Sequence, residues 1–382
     1  MLKRWRDSVF SAEEVNTGRQ TEADIAKGIL VLCLAVVHIT IECTDDAGLC
    51  FGLPYFFDSV LGGPLGAPMF MFCMGIGLVY TARNSHRDIA GRGLRLLFAG
   101  IVLNICRYQL PLLTGFFLSG NSEEFLVPLP YLFFGNDLLQ FAGLFMLLYA
   151  VIKRITDSDG IMLLIAFALS CLSTLLGGVD FGRVSLNMLF SHILPVEDAG
   201  EMIVSDFPLI TWFLVPVSGC LFGRVLRRVK NKDGFYLPVF LLTFLITILY
   251  FTVNISRRNG MFGEGENCYY HLATEDSLAA IIAAMCLLGL WHYTGKILPG
   301  QLLALLRCAS RNITRVYCIH WVFVVWITDV LFPLLFGSSE RPMLEVLFVS
   351  TVITAVSLAL AELWRKKLRE RFFGRRKNAA SA

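Results

Sequence analysis

The chain has 382 residues, 56% of them hydrophobic and only 16% charged, with a mean hydropathy of +0.65 and a formal net charge of +3. Soluble domains carry about 25% charged residues. A deficit arranged in blocks excludes an ordinary soluble enzyme or a nucleic-acid-binding module and points to an integral membrane protein.

A mixed-charge leader over 1–24 holds Glu13, Glu14, Glu22 and Asp24. The first apolar run starts near Ile25 and has no small-residue cleavage site after it, so it reads as a retained span rather than a secretory signal. A spanning helix needs about 20 mostly apolar residues. Ten such segments occur, near 25–42, 65–82, 93–118, 130–152, 160–177, 206–226, 235–253, 276–294, 313–336 and 343–363. The shorter stretch 297–308, broken by Pro299 and Gly300, reads as a surface or re-entrant helix. The expected fold is an all-α integral membrane protein of about ten transmembrane helices. It has one membrane domain over 25–363 and a basic tail over 364–382.

Charge sets the expected orientation. With the N-terminus in the cytosol, inner segments hold Lys3, Arg4, Arg6 and Arg19, the group Arg83 to Arg95, Lys153 and Arg154, the group Arg224 to Lys232, then Lys296, Arg307, Arg311 and Arg315, and Arg365 to Lys377 in the tail. Outer loops keep only Arg183, Arg257, Arg258 and Arg341, and are acidic at Asp45, Asp46, Glu123, Glu124, Asp180, Glu197, Asp198, Glu201, Asp206, Glu264 and Glu266. This is a positive-inside pattern, with both termini cytosolic and the cell (cytoplasmic) membrane as the location. Of the eleven cysteines, eight fall in apolar runs and act as small hydrophobes, while Cys43, Cys50 and Cys268 fall in connections. Six residues between Cys43 and Cys50 permit a disulfide without requiring one. No CxxC spacing occurs, and no metal is expected.

Titratable residues inside spans are costly and are functional candidates by default. In the first span Lys27 and His38 are eleven residues apart. Eleven helical steps make almost three turns, so both share one face, about 16 Å apart along the axis. Glu42, one turn after His38, is placed to orient the imidazole. A cation at the mouth and a neutral imidazole deeper in suit an acyl-CoA. Lys27 would hold phosphate, and His38 would act as general base on an acceptor hydroxyl or amine, or carry the acyl group itself. The competing reading has Lys27 snorkelling and His38 satisfied as a packing residue, and spacing alone leaves both open. Arg92 and Arg95 share a face at the start of the third span and suit a phosphate. Arg83 and Arg87 read as ordinary positive-inside charge. Arg107 and Asp137 read as a structural ion pair, His320 as a core hydrogen-bonding residue, Trp212 as an aromatic-belt residue, and Asp329 as solvated near a helix end. His192 lies in a long outer loop.

At these residues the chain resembles the acyltransferase-3 superfamily. Lys27 and His38 stand at the positions of its Arg-x10-His signature, and Arg92-Gly-Leu-Arg95 resembles its Arg-x-x-Arg motif. The stretches Ala67–Gly75, Asn136–Gln140, Phe207–Trp212 with Gly223 and Arg224, and Tyr317–Trp321 are similar to the heparan-α-glucosaminide N-acetyltransferase catalytic-domain family. The similarity is dispersed over roughly residues 20–330. It implies acetyl-CoA as the cytosolic acyl donor and an extracytoplasmic acceptor, commonly a sugar. It implies His38 as the catalytic residue, with Lys27, Arg92 and Arg95 on the CoA side. Two departures stand out. Lysine replaces the usual arginine and cannot form a bidentate fork. Residues 43–63 hold no histidine where the glucosaminide family uses one, so that role falls to His38, to another outer residue, or is absent. The expected partners are acyl-CoA, a glycan or other hydroxyl or amine acceptor, and the bilayer, with no nucleic acid. A homodimer is left open. A secondary transporter or lipid-linked sugar flippase is the alternative from another class, and a catalytically dead relative is a third.

Overall fold

The computed structural model describes residues 2–197, 205–258, 261–262 and 269–380. The expected positions Asp198, Glu201, Glu264, Glu266 and Cys268 lie outside the described residues. Among the described residues the chain is helical throughout, and its extended pairings are three isolated bridges at Phe10–Val229, Asn136–Ser205 and Val179–Val196. An apolar solvent explains this choice. Backbone N–H and C=O groups find no water there, and a helix satisfies them within one segment.

Among the described residues ten helices are long and apolar enough to cross a membrane, as the sequence predicts. They are α1 (Thr21–Cys43), α2 (Gly52–Tyr80), α3 (His86–Ser119), α4 (Leu138–Ile155), α5 (Asp159–Leu176), α6 (Leu209–Arg227), α7 (Lys232–Arg257), α8 (Thr274–Ile297), α9 (Gly300–Phe336) and α10 (Met343–Leu368). Polar caps set several starts. Ser85 accepts from the Asp88 N–H, Ser158 from the Ile161 N–H, and Asp137 from the Leu138 N–H.

Three expectations need correction, and one open possibility is settled. The stretch 297–308 is no separate element: Ile297 ends α8, and Gly300 begins the first turns of α9 after Pro299 at the N-cap, where the missing proline N–H costs no hydrogen bond. The fourth span starts at Leu138, since Leu129–Phe133 forms its own short helix and Asp137 caps α4. Trp212 is fully buried, not on an aromatic belt, and its indole N–H donates to the Tyr270 carbonyl at 2.8 Å. Cys43 and Cys50 are not joined by a disulfide.

Three spans contain π-helical turns, at Phe56–Gly62, Ile105–Gln109 and Trp326–Leu331. The latter two run into Pro111 and Pro333. A proline cannot donate to the carbonyl four residues back and crowds it, so the preceding turn widens. Arg107 sits inside the first of these widened turns.

Contacts divide the chain into two units. The larger comprises Met1–Ala23 and Gly62–Thr294. Its core is aromatic and sulfur-rich, with Met69, Met71, Phe72, Phe141, Phe145, Trp212 and Phe213 all essentially inaccessible. Close helix crossings rest on glycine. A Cβ at Gly75 would overlap the Pro216 carbonyl, and one at Gly219 would overlap the Phe72 carbonyl, so α2 and α6 meet backbone to backbone. Gly93 and Gly143 do the same for α3 and α4. The leader belongs to this unit. Leu2–Val9 is helical, Lys230 N–H donates to the Val9 carbonyl, and buried Glu22 accepts from Lys232 at 2.8 Å and Tyr236 at 2.9 Å. On α7, Leu241, Leu242, Leu245 and Leu249 are more than half exposed, as a lipid-facing helix requires.

The smaller unit comprises Asp24–Leu61 and Gly295–Ala382. Val31, Ala309, Val316 and Ala361 form its core, bringing α1, α9 and α10 together. Gly28 allows the α1–α9 approach, since a Cβ there would stand 2.6 Å from the Leu306 carbonyl oxygen.

Gly75→Val and Gly219→Val should each lower the amount of folded, monodisperse protein on size-exclusion in detergent, with at least about 1–3 kcal/mol of overpacking strain. Gly77→Val should leave it unchanged, because nothing lies within 4 Å of a Cβ there.

Candidate active site

Helix α1 is continuous from Thr21 to Cys43, so the one-face register of Lys27 and His38 holds. Both belong to the smaller unit, as does Glu42. Lys27 is held near the start of the helix. Its Nζ is 3.8 Å from the carboxylate of buried Asp24, which in turn accepts from Ser310 Oγ at 2.7 Å. Ser310 is on α9, so this chain of contacts ties the lysine stem to a second helix. An ammonium has three donors, and one carboxylate contact leaves the others available to an anion.

Three turns further on, His38 is half-buried. Its ring lies 4.0 Å from that of Trp321 with a 38° tilt, and 5.4 Å from that of His320 with a 35° tilt. His320 and Trp321 are consecutive residues of α9, and both are buried. The imidazole is therefore held against two rings of a neighbouring helix, which restricts its rotation and shields one side from water. Glu42 is exposed at the end of α1, and Asp329 is also exposed, accepting from Thr328 Oγ1 at 2.6 Å. Arg341 packs its guanidinium over Phe336 at 4.0 Å, and its backbone N–H donates to the Cys43 carbonyl at 2.9 Å.

Arg92 and Arg95 are placed in the larger unit, on α3. They flank Gly93, which packs against α4. Arg95 is exposed, and half-buried Arg92 donates to the Arg83 carbonyl. Arg83 thereby supports Arg92 through its backbone.

The larger unit also holds a buried polar cluster that the sequence shows only in part. The Arg107–Asp137 pair forms as expected, at 2.5 Å, with both side chains nearly inaccessible. Arg107 also donates to Asn104 Oδ1 at 3.0 Å, and Asn104 donates to the Phe133 and Gly135 carbonyls. A buried pair with such added hydrogen bonds costs about 3–5 kcal/mol when one partner is removed. Asp206 lies beside this pair, although in the sequence it is only one of many acidic loop residues. Its nearness to Asp137 depends on Ser205 bridging to Asn136 across nearly seventy positions, which no local pattern reveals. Around them, His271 Nε2 is 3.0 Å from the Ser205 carbonyl and His192 Nδ1 is 3.4 Å from Ser191 Oγ. Burial lowers both histidines and keeps them neutral, the Glu197 carboxylate near His271 notwithstanding.

Asp206 is raised to about 8 by burial first and by the Asp137 charge second, with Arg107 opposing. Its ordinary value is 3.8, so the folded chain holds a proton that an unfolded one releases. The stabilisation is complete below that ordinary value and is lost as pH rises through about 8. The thermal unfolding temperature should therefore fall as pH rises from about 4 to about 8, and Asp206→Asn should flatten that fall. Infrared spectra of the folded protein should show a protonated-carboxyl band that disappears at about pH 8 and is missing in Asp206→Asn.

No curated protein matches this chain. Residues 21–362 match the acyltransferase domain family, a stretch that contains all five expected site residues from Lys27 to Arg95. That match covers most of the chain, and with ten membrane-crossing helices it makes this protein a multi-pass membrane acyltransferase of the acyltransferase-3 family.

Proposed function

We propose that the protein moves an acetyl group from cytosolic acetyl-CoA to an extracytoplasmic acceptor, a sugar of a cell-envelope glycan, in the cell membrane with both termini in the cytosol. The observation that carries this reading is the placement of His38. A half-buried imidazole, braced by Trp321 and His320, stands three turns from a lysine tethered at the other end of the same face. The positive-inside charge distribution supports the orientation, and the dispersed similarity to the heparan-α-glucosaminide N-acetyltransferase family supports a sugar acceptor. The resemblance of Arg92-Gly-Leu-Arg95 to the family's Arg-x-x-Arg motif supports a CoA-side role for those two arginines.

The chemistry balances without a metal or nucleotide hydrolysis. His38 takes the proton from the acceptor hydroxyl or amine as its oxygen or nitrogen bonds to the thioester carbonyl carbon. The carbon–sulfur bond breaks, CoA leaves as thiolate, and His38 returns the proton to it. The thioester supplies the driving force. Lys27 contributes charge for the polyanionic donor, and Glu42, one turn beyond His38 at the open end of α1, favours the protonated imidazole electrostatically.

Purified protein in liposomes, given radiolabelled acetyl-CoA, should transfer label or release CoA, and His38→Ala should lose at least about 100-fold of that rate, the usual range for a general base. CoA release retained by His38→Ala would remove the histidine from the mechanism. No binding and no release by folded wild type would turn the reading to a transporter. Lys27→Ala should raise KM for acetyl-CoA about tenfold with kcat little changed, while Lys27→Arg should keep or improve KM.

A further inference from the structure

His320 is 1% exposed in an apolar span. Its Nδ1 lies 3.1 Å from the Val316 carbonyl of its own helix. A carbonyl only accepts, so Nδ1 carries the hydrogen. In the neutral ring Nε2 is then a lone-pair acceptor on the opposite edge, turned away from that helix backbone. The rings that flank His320 are Tyr317 at 5.5 Å, Trp321 at 5.6 Å and His38 at 5.4 Å. A phenylalanine would fill this space without the cost of burying an imidazole, and the Val316 bond uses only one of the two nitrogens. The His38 ring comes from another helix, α1.

We propose that His320 is a positioning residue for His38: with its own tautomer set by Val316, it fixes the orientation of the His38 ring and stabilises that ring while it holds the acceptor's proton. This role rests on the acyl-transfer reading. The step is the passage of one proton from acceptor to His38 and from His38 to the CoA thiolate. Between the two events His38 is an imidazolium in a largely apolar setting. A neutral acceptor nitrogen and the indole face of Trp321 at 4.0 Å both favour that cation over a ring surrounded by hydrocarbon. Because the charge exists only during transfer, the contribution falls on kcat and not on donor binding.

Other ionisable groups share this end of the smaller unit. They are Glu42 and Cys43 on α1, Tyr317 and Asp329 on α9, and Arg341 before α10, with Glu42, Asp329 and Arg341 in electrostatic range of Cys43. Substituting His320 leaves them in place, so a change in the pH profile on substitution reports on His320.

The test compares His320→Asn with His320→Gln in liposomes with acetyl-CoA. Asparagine reproduces the Nδ1 donor to Val316 but nothing on the far edge. Glutamine places its amide near the Nε2 position. His320→Asn should lower kcat by about 10–100-fold with KM for acetyl-CoA within about twofold, and should move the acid limb of the kcat profile to lower pH. His320→Gln should keep most of kcat and a limb close to wild type. Wild-type values for both variants, or an unmoved limb, would overturn the role while leaving the transferase intact. Equal loss of kcat, KM and thermal stability in both, or failure of both to fold, would make His320 a packing residue and overturn it likewise. A folded but inactive wild type would remove the acyl-transfer reading, and this role with it.

Discussion

Every feature of this molecule answers to one constraint: in hydrocarbon a backbone polar group must find its partner inside the protein. Helices meet it segment by segment, and the departures from ideal helix show what happens where they cannot. Pro111 and Pro333 withhold an N–H, and the turns before them widen to π geometry rather than leave a carbonyl exposed to lipid. Pro299 withholds one at no cost because it stands where a helix begins. The same constraint makes backbone approach between helices depend on glycine. Gly75 with Gly219 in one unit, and Gly28 in the other, admit contacts that any Cβ would forbid.

Side chains obey the rule as strictly as the backbone. Arg107 is tolerable because it pairs with Asp137 and donates to Asn104, whose own amide donates to two backbone carbonyls. Asp206, placed beside that pair, remains protonated instead of ionising. His192 and His271 stay neutral for the same reason. His38 is half-buried and packs against the Trp321 and His320 rings. Its unperturbed titration range makes an imidazole in such a place suited to carrying a proton.

Much of this is legible in the amino-acid order. Span number comes from hydrophobic blocks of about 20 residues, because membrane thickness is a fixed length that each segment meets on its own. The shared face of Lys27 and His38 comes from helical periodicity alone, since α1 is unbroken. Arg107 and Asp137 pair on charge alone, an ionised side chain in a span having few acceptable partners. The acyltransferase signature is readable because its residues lie within single helices.

Contact between distant segments is what escapes the sequence. Trp212 looks like a belt residue because amphipathic side chains at a span end usually face the interface, yet a loop carbonyl nearly sixty positions away draws it inside. Asp206 has no distinguishing mark until the bridge of Ser205 with Asn136 sets it beside Asp137. His320 looks like a core residue, and its Val316 bond agrees, but only the packing of α9 on α1 places its ring against His38. Local order determined which segments are helices and which face of each carries chemistry, because those depend on spacing within about one span. Tertiary structure decided which faces meet, because that is settled by glycine-sized gaps and ring contacts between residues far apart in the chain.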